Sequence, residues 1–164
     1  MIYKAIIPSP IGAIEIACDE RHLVGVGFTS ASRLARRLKS ATPNAKHNII
    51  KKAVKQLNEY FNGRRKKFNL PISLQKLPAT PFQRRMWAEL LKIPHGKTIT
   101  YAEQALRGGR PAACRAAGGA NGKNPIAIVI PCHRVVAANG KLGGFTSGLW
   151  RKRRLLKLEK SCRI

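Results

Sequence analysis

The sequence predicts an α+β protein in two compact parts, a small α/β front followed by a mostly helical back. Apolar residues alternate with period two between Ile2 and Phe28, the mark of half-buried strands. From Ile49 onward they recur at the helical spacing of three and four, and capping residues at Thr80 and Thr100 precede helical stretches. A chain of 164 residues can bury one good core or two small ones, and the change of period favours two. The expected domains are residues 1–77 and 78–164.

In order along the chain, Ile14, Ile16 and Cys18 share one strand face, and Val24, Val26 and Phe28 share a face of the next. Asp19-Glu20-Arg21 breaks the run between them, so the front opens as an antiparallel meander. Ser32 to Lys39 and Ile49 to Phe61 are expected to be helices, the second with Ile49, Ile50, Ala53, Leu57, Tyr60 and Phe61 on one stripe. The basic stretch from Gly63 to Pro78 reads as a linker, within which Phe68, Leu70 and Ile72 alternate as an edge strand would. Thr80-Pro81 then opens a helix whose stripe is Phe82, Met86, Leu90 and Ile93, ended by Pro94-His95-Gly96. Thr100 to Glu103 has the spacing of a capping box for a short helix to about Leu106. Arg107 to Pro111 turns the chain into a second helix, Ala112 to Ala120, and the pair suggests a helix-turn-helix. That second helix carries small side chains and one Arg, which suits either tight helix packing or close approach of its backbone to DNA. Ile126 to Ile130 is expected to be a buried strand, followed by a Gly-rich loop through Gly148 and a final helix from Leu149 to Lys160.

Lys and Arg number 32 against 7 Asp and Glu, a formal charge of +25 spread through both halves. A polyanion is the expected partner, nucleic acid above all, because neutralising phosphates releases counterions. A merely solvated basic surface is the alternative. No segment approaches the roughly 18 apolar residues of a membrane span, and the start lacks an apolar run of signal-peptide length, so a soluble intracellular protein is expected. The four cysteines, Cys18, Cys114, Cys132 and Cys162, form no Cys-x-x-Cys pair and read as free thiols. The four histidines lack metal-ligand spacing, so no metal site is expected.

Ile130-Pro131-Cys132-His133-Arg134-Val135 is the segment that carries chemistry. A cysteine beside a cationic His, Lys or Arg has its pKa drawn from about 8.5 to roughly 3.5–7.5, and the thiolate is the nucleophile. Cys132 is therefore the expected nucleophile and His133 its base. Of the carboxylates in the back half, Glu159 lies one turn after Leu155 and Leu156 on the inward stripe and is the expected acid orienting that imidazole.

Tyr101, Arg115, Asn124-Pro125, Pro131 to Val136, Gly143-Gly144-Phe145 and Glu159, in this order and spacing, resemble the O6-alkylguanine-DNA alkyltransferases. The match spans Pro81 to Glu159, and the front is similar to the family's ribonuclease-H-like domain. The resemblance implies stoichiometric, irreversible transfer of an alkyl group from O6-alkylguanine in duplex DNA to Cys132, leaving O4-alkylthymine open as a second substrate. It implies that the Cys132 proton reaches His133 through a water and that Tyr101 rotates the target phosphate and donates to guanine N3. Arg115 is implied to fill the stack behind the flipped nucleotide, with Ala116, Gly118 and Gly119 along the same helix in the minor groove. By the same resemblance Asn124 shapes the site, Pro131, Val135, Phe145 and Thr146 wall the guanine pocket, and Ser147 governs acceptance of bulky groups. No cofactor is implied; the protein is expected to be a monomer, cytoplasmic and nucleoid-associated, or nuclear in a eukaryote. Two other readings remain. One is a helix-turn-helix protein with Cys132 as a sensor thiol, and the other is a cysteine hydrolase. The latter is disfavoured because adjacent residues on an extended segment point to opposite faces.

Overall fold

In the computed structural model, residues 1–28 and 47–161 are described. The expected helix from Ser32 to Lys39, together with Cys162, lies outside them. The chain divides into two compact units, Met1–Ser73 and Leu74–Ile164.

The first unit is a three-stranded antiparallel sheet, β1 (Tyr3–Ile7), β2 (Ile14–Cys18) and β3 (Leu23–Phe28), in the order β1-β2-β3. A helix, α1 (Asn48–Phe61), packs on it. Ile14, Ile16 and Cys18 share the buried face of β2, as the alternation predicts. The expected Val24, Val26 and Phe28 face does not form. The register slips between Ala17 and Cys18, so that Ala17 faces Gly25 while Cys18 faces Leu23 and Val24 is the extra residue. A bulge of this kind moves one part of a strand to the opposite face, and Leu23 and Val26 become the core residues of β3. His47 caps α1, its Nδ1 accepting from Ile49 N at 3.3 Å while also lying 3.3 Å from Cys18 Sγ. The edge strand expected at Phe68, Leu70 and Ile72 is absent. The amide of Gln56, buried on α1, bonds both the N–H and the C=O of Asn69, and Leu23 N donates to Pro71 O, so side-chain and single backbone bonds hold this segment in place of a ladder.

The second unit contains α2 (Pro81–Leu91), α3 (Tyr101–Arg107), α4 (Cys114–Gly122) and α5 (Leu149–Ser161). It also has a two-stranded parallel pairing of β4 (Ile99–Thr100) with β5 (Val135–Val136). Thr80 and Gln83 form a complete capping box at α2, with Pro81 in the first turn. At α3 only half of the expected box forms: Thr100 accepts from Glu103 N, but the Glu103 carboxylate pairs with Arg107 one turn on. The α3–α4 pair packs against α2 through Met86, Ala105, Ala117 and Ala120. The strand expected at Ile126–Ile130 is instead a buried tight turn, in which Ile128 has φ +71° and Ile130 N donates to Ile126 O. A β-branched residue in the left-handed region is strained. This turn delivers the chain to Pro131 and Cys132.

Candidate active site

The pairing of β4 with β5 sets Ile99 beside Val135 and Thr100 beside Val136. It thereby brings Tyr101, which opens α3, close to the segment that begins at Cys132. Cys132, His133 and Arg134 form one 3-10 turn capped by Pro131, so the segment is not extended as the sequence argument against the hydrolase assumed. No hydrogen bond joins Cys132 Sγ to the His133 ring among the described residues.

Cys132 opens onto a cavity of about 380 Å³. Phe145, Thr146, Ser147, Tyr101, Asn124, Arg115 and Gly118 line it, all predicted site residues, together with Cys114, Asn121 and Ala127. Pro131 and Val135, expected as pocket walls, do not line it. Pro131 is spent on capping the 3-10 turn and Val135 on pairing with Ile99, and both are buried. Ala116 and Gly119 lie outside the cavity on the exposed side of α4, and a Cβ on Gly119 would meet nothing within 4 Å. Gly143 has φ +70°, and a Cβ there would lie 2.7 Å from the Tyr101 ring, so only glycine lets that ring close against the loop.

Behind the thiol, Glu159 Oε1 lies 2.7 Å from His133 Nε2. Arg134 grips both carboxylate oxygens at 2.9–3.2 Å and donates to Ile93 O, while Gly96 N donates to Glu159 Oε2 at 3.0 Å. Burial alone would raise the Glu159 carboxyl, but the hydrogen bonds and charges of His133 and Arg134 hold it far below the usual carboxylate range. Burial lowers the pKa of His133 and outweighs the pull of Glu159 toward protonation. The imidazole is therefore neutral, with Nε2–H donating to Glu159 and Nδ1 left as a base. Nδ1 is buried and has no hydrogen-bond partner among the described residues.

Cys132 departs from expectation. Burial pushes its thiol up, outweighing the Asn124 amide, the Lys152 charge and the backbone N–H groups of Cys132 and His133, all of which favour the thiolate. Asn124 is held in turn, donating to Ile130 O at 2.8 Å and accepting from Ile126 N at 3.0 Å, so it clasps the ends of the strained turn.

The sequence reading missed Lys152. It is fully buried, its ammonium donating to Val135 O at 2.6 Å, to Gly144 O at 3.1 Å and to the Tyr101 hydroxyl at 3.4 Å. Burial brings it down to about 8, against the Cys132 thiolate, which would raise it. The signal was present, since Lys152, Leu155 and Glu159 fall on one helical stripe, and the reasoning that placed Glu159 inward also places Lys152 inward. Gln104 and Asn121 were missed as well. Their buried amides bond reciprocally at 2.9 and 2.8 Å, and Gln104 also donates to Met86 O.

Among the described residues no group of three or more His, Cys, Asp and Glu could hold a metal. The arrangement suits nucleophilic attack by a thiol whose proton leaves to a neutral, carboxylate-anchored imidazole, on a flat group lodged beside Tyr101.

Residues 81–161 match the family described as 6-O-methylguanine DNA methyltransferase, DNA binding domain, and residues 2–74 match its ribonuclease-like domain. The methylated-DNA–protein-cysteine methyltransferase of Methanosarcina acetivorans is 45% identical over 161 residues, covering 98% of this chain and 100% of that protein. The crystal structure of Mycobacterium tuberculosis O6-methylguanine methyltransferase superposes with a TM-score of 0.85 at 42% identity, covering 100% of this chain and 96% of that one. A Mycobacterium tuberculosis structure in complex with DNA is similar at 0.85 and 42%, over 98% of this chain and 94% of that one.

Proposed function

The chain belongs to the 6-O-methylguanine DNA methyltransferase family, and from that premise we propose that it repairs DNA by transferring the alkyl group of an O6-alkylguanine to Cys132. The observation that carries this is Cys132 opening onto a cavity that Tyr101 and Arg115 also line, with the buried ring of the neighbouring His133 bonded to Glu159.

A new bond forms between Cys132 sulfur and the alkyl carbon as the bond from that carbon to guanine O6 breaks. The bonding electrons remain with guanine, and the Tyr101 hydroxyl gives its proton to N3 so that the base departs neutral, the phenolate being reprotonated by the Lys152 ammonium beside it. The thiol proton passes through a water to His133 Nδ1, and Glu159 stabilises the imidazolium that results. Lys152 holds the Tyr101 hydroxyl and the Gly144 carbonyl in place and sets a positive charge toward the emerging thiolate. Asn124 donates to the sulfur. The thioether is not cleaved afterwards, so each molecule acts once.

The target base is lifted out of a duplex. Arg115 takes its place in the stack, and the small side chains of α4, Ala116, Gly118 and Gly119 among them, allow its backbone deep into the minor groove. Minor-groove contact carries little sequence information, which suits damage found in any context. Phe145, Thr146 and Ser147 bound the base and its alkyl group. The protein works as a monomer in the cytoplasm, at the nucleoid; no helix among the described residues is long and apolar enough to cross a membrane.

Intact-protein mass after incubation with excess duplex containing O6-methylguanine tests the reading. One added methyl that maps to Cys132 is expected, with none on Cys132→Ala, which should still bind the duplex. Transfer by that variant, or tight binding without any mass change in the wild type, would exclude Cys132 as the acceptor and leave a sensor or damage-binding protein.

A further inference from the structure

The α5 helix turns Lys152, Leu155 and Glu159 inward, and its opposite face is chemically unlike the rest of the unit. Trp150 is 49% exposed, and Arg153 and Arg154 are exposed three and four residues on, on the same side of the helix. The Arg151 guanidinium lies 4.4 Å from the Trp150 ring centroid and also donates to Ser147 O at 2.6 Å. Gly148, at φ +101°, folds the chain so tightly that a Cβ there would meet the indole at 3.3 Å. The Arg151 guanidinium thus reaches back to Ser147, which lines the cavity that holds Cys132, and the indole stacked with it stands three residues beyond Ser147 in the chain.

From this end the face continues as a groove of about 460 Å³ lined by Leu142, Arg153, Leu156, Lys157 and Lys160. Trp150 to Lys160 spans about 15 Å of helix. No acid stands in the first turn of α5, although cations there oppose the helix dipole. Among the described residues the carboxylates of this unit are already engaged: Glu89 with Lys92, Glu103 with Arg107, and Glu159 with His133 and Arg134. None of them is left to neutralise Arg153 or Arg154, and the cations form a stripe that begins at an exposed aromatic ring. A stripe of cations tracks a phosphate backbone, and a flat ring at its end stacks on an unpaired base. An uncharged aryl adduct reaching out of the cavity would use the ring but leave the cations unexplained.

We propose that the outer face of α5 is a second nucleic-acid contact, taking a single-stranded segment with one base stacked on Trp150 and its phosphates on Arg153, Lys157 and Lys160. It rests on the proposed function only for the duplex that α4 engages. A lesion beside a gap or a frayed end would then be held at two places.

The test compares affinity for a blunt undamaged duplex with that for the same duplex carrying a single-stranded oligothymidine tail, measured with the full chain. The tail should tighten binding by the wild type, and Trp150→Ala should remove about tenfold of that gain, the size of one base–aromatic stack. Trp150→Phe should restore most of it, and Arg153→Gln should reduce the gain and lower the salt slope on the tailed duplex alone. A tail gain that is absent in the wild type or unchanged in Trp150→Ala overturns the proposal, as does a Trp150→Ala defect seen only with extended O6-benzylguanine substrates. Methylation of Cys132 by a blunt O6-methylguanine duplex should be unaffected in Trp150→Ala. Because that reaction is read separately, a wild type that binds tails but fails to become methylated would count against the repair reading alone.

Discussion

Cys132 is a buried thiol in the resting protein, so the transfer depends on making a thiolate only once substrate is in place. Lys152 is the group that balances this. At about 8 its ammonium is lost as the pH rises, whereas His133, its pKa lowered by burial, must be neutral to receive the thiol proton. These two requirements should give a transfer rate that climbs from acid pH as His133 loses its proton and falls above about pH 8 as Lys152 does. Lys152→Met should lower the rate with free O6-benzylguanine by about tenfold or more, the scale of a charge-assisted hydrogen bond lost from a buried site, and should abolish the alkaline fall. Stopped reactions read by protein mass across pH would show both. Arg115 is exposed at the cavity mouth, and its proposed work is on the duplex alone. Arg115→Ala should slow repair of O6-methylguanine in duplex far more than reaction with free O6-benzylguanine, and equal losses would remove its flipping role. At this scale Cys132, His133 and Glu159 were legible because a reactive pair next to a turn, and an acid on an apolar stripe, have few structural uses. Lys152 was passed over because a lysine in a basic helix usually belongs to solvent.

Among the elements, α4 presents the hardest problem. It contains Gly118, Gly119 and Gly122 in nine residues, and its N-cap residue, Ala113, makes no side-chain cap bond. Such a helix is intrinsically weak. It is held from outside, by Trp87 Nε1 donating to Ala120 O at 2.9 Å and by the Gln104–Asn121 amide pair. Gln104→Leu leaves the Asn121 amide without this partner and should cost about 1–3 kcal/mol in urea unfolding. It should also slow duplex repair more than the reaction with free O6-benzylguanine. The double variant Gln104→Leu with Asn121→Leu should recover much of the stability, because both polar groups are then gone. The α2 to α5 helices could be read from caps and stripes, which act within a turn or two of the chain. The β3 bulge, the missing edge strand and the turn at Ile128 could not, since each is set by a partner or a single dihedral that leaves no periodic trace.

Over the whole molecule, +25 charges give affinity for a polyanion without choosing a site. In the second unit, Glu159 ties the loop after α2, through Gly96, to the nucleophile turn and to α5. Glu159→Ala would leave Arg134 buried without its partner, and a loss of about 3–5 kcal/mol is expected from denaturant unfolding at neutral pH. The folded carboxyl lies below its unfolded value of about 4.3. Its contribution is therefore complete above that pH and is lost as the pH falls toward the folded value. Wild-type stability should fall below about pH 4, while the Glu159→Ala variant should lose this component of the acid response. The amino-acid sequence by itself determined the fold class, the helix pair, the polyanion preference and the thiol chemistry, because period, capping, charge and a reactive motif are properties of neighbours in the chain. Only the tertiary structure decided that Cys132 rests as a thiol, that His133 is neutral and that Lys152 is a buried cation. It also decided that two amides hold α4. Desolvation and hydrogen bonding depend on groups brought together from distant parts of the sequence, and no local pattern records them.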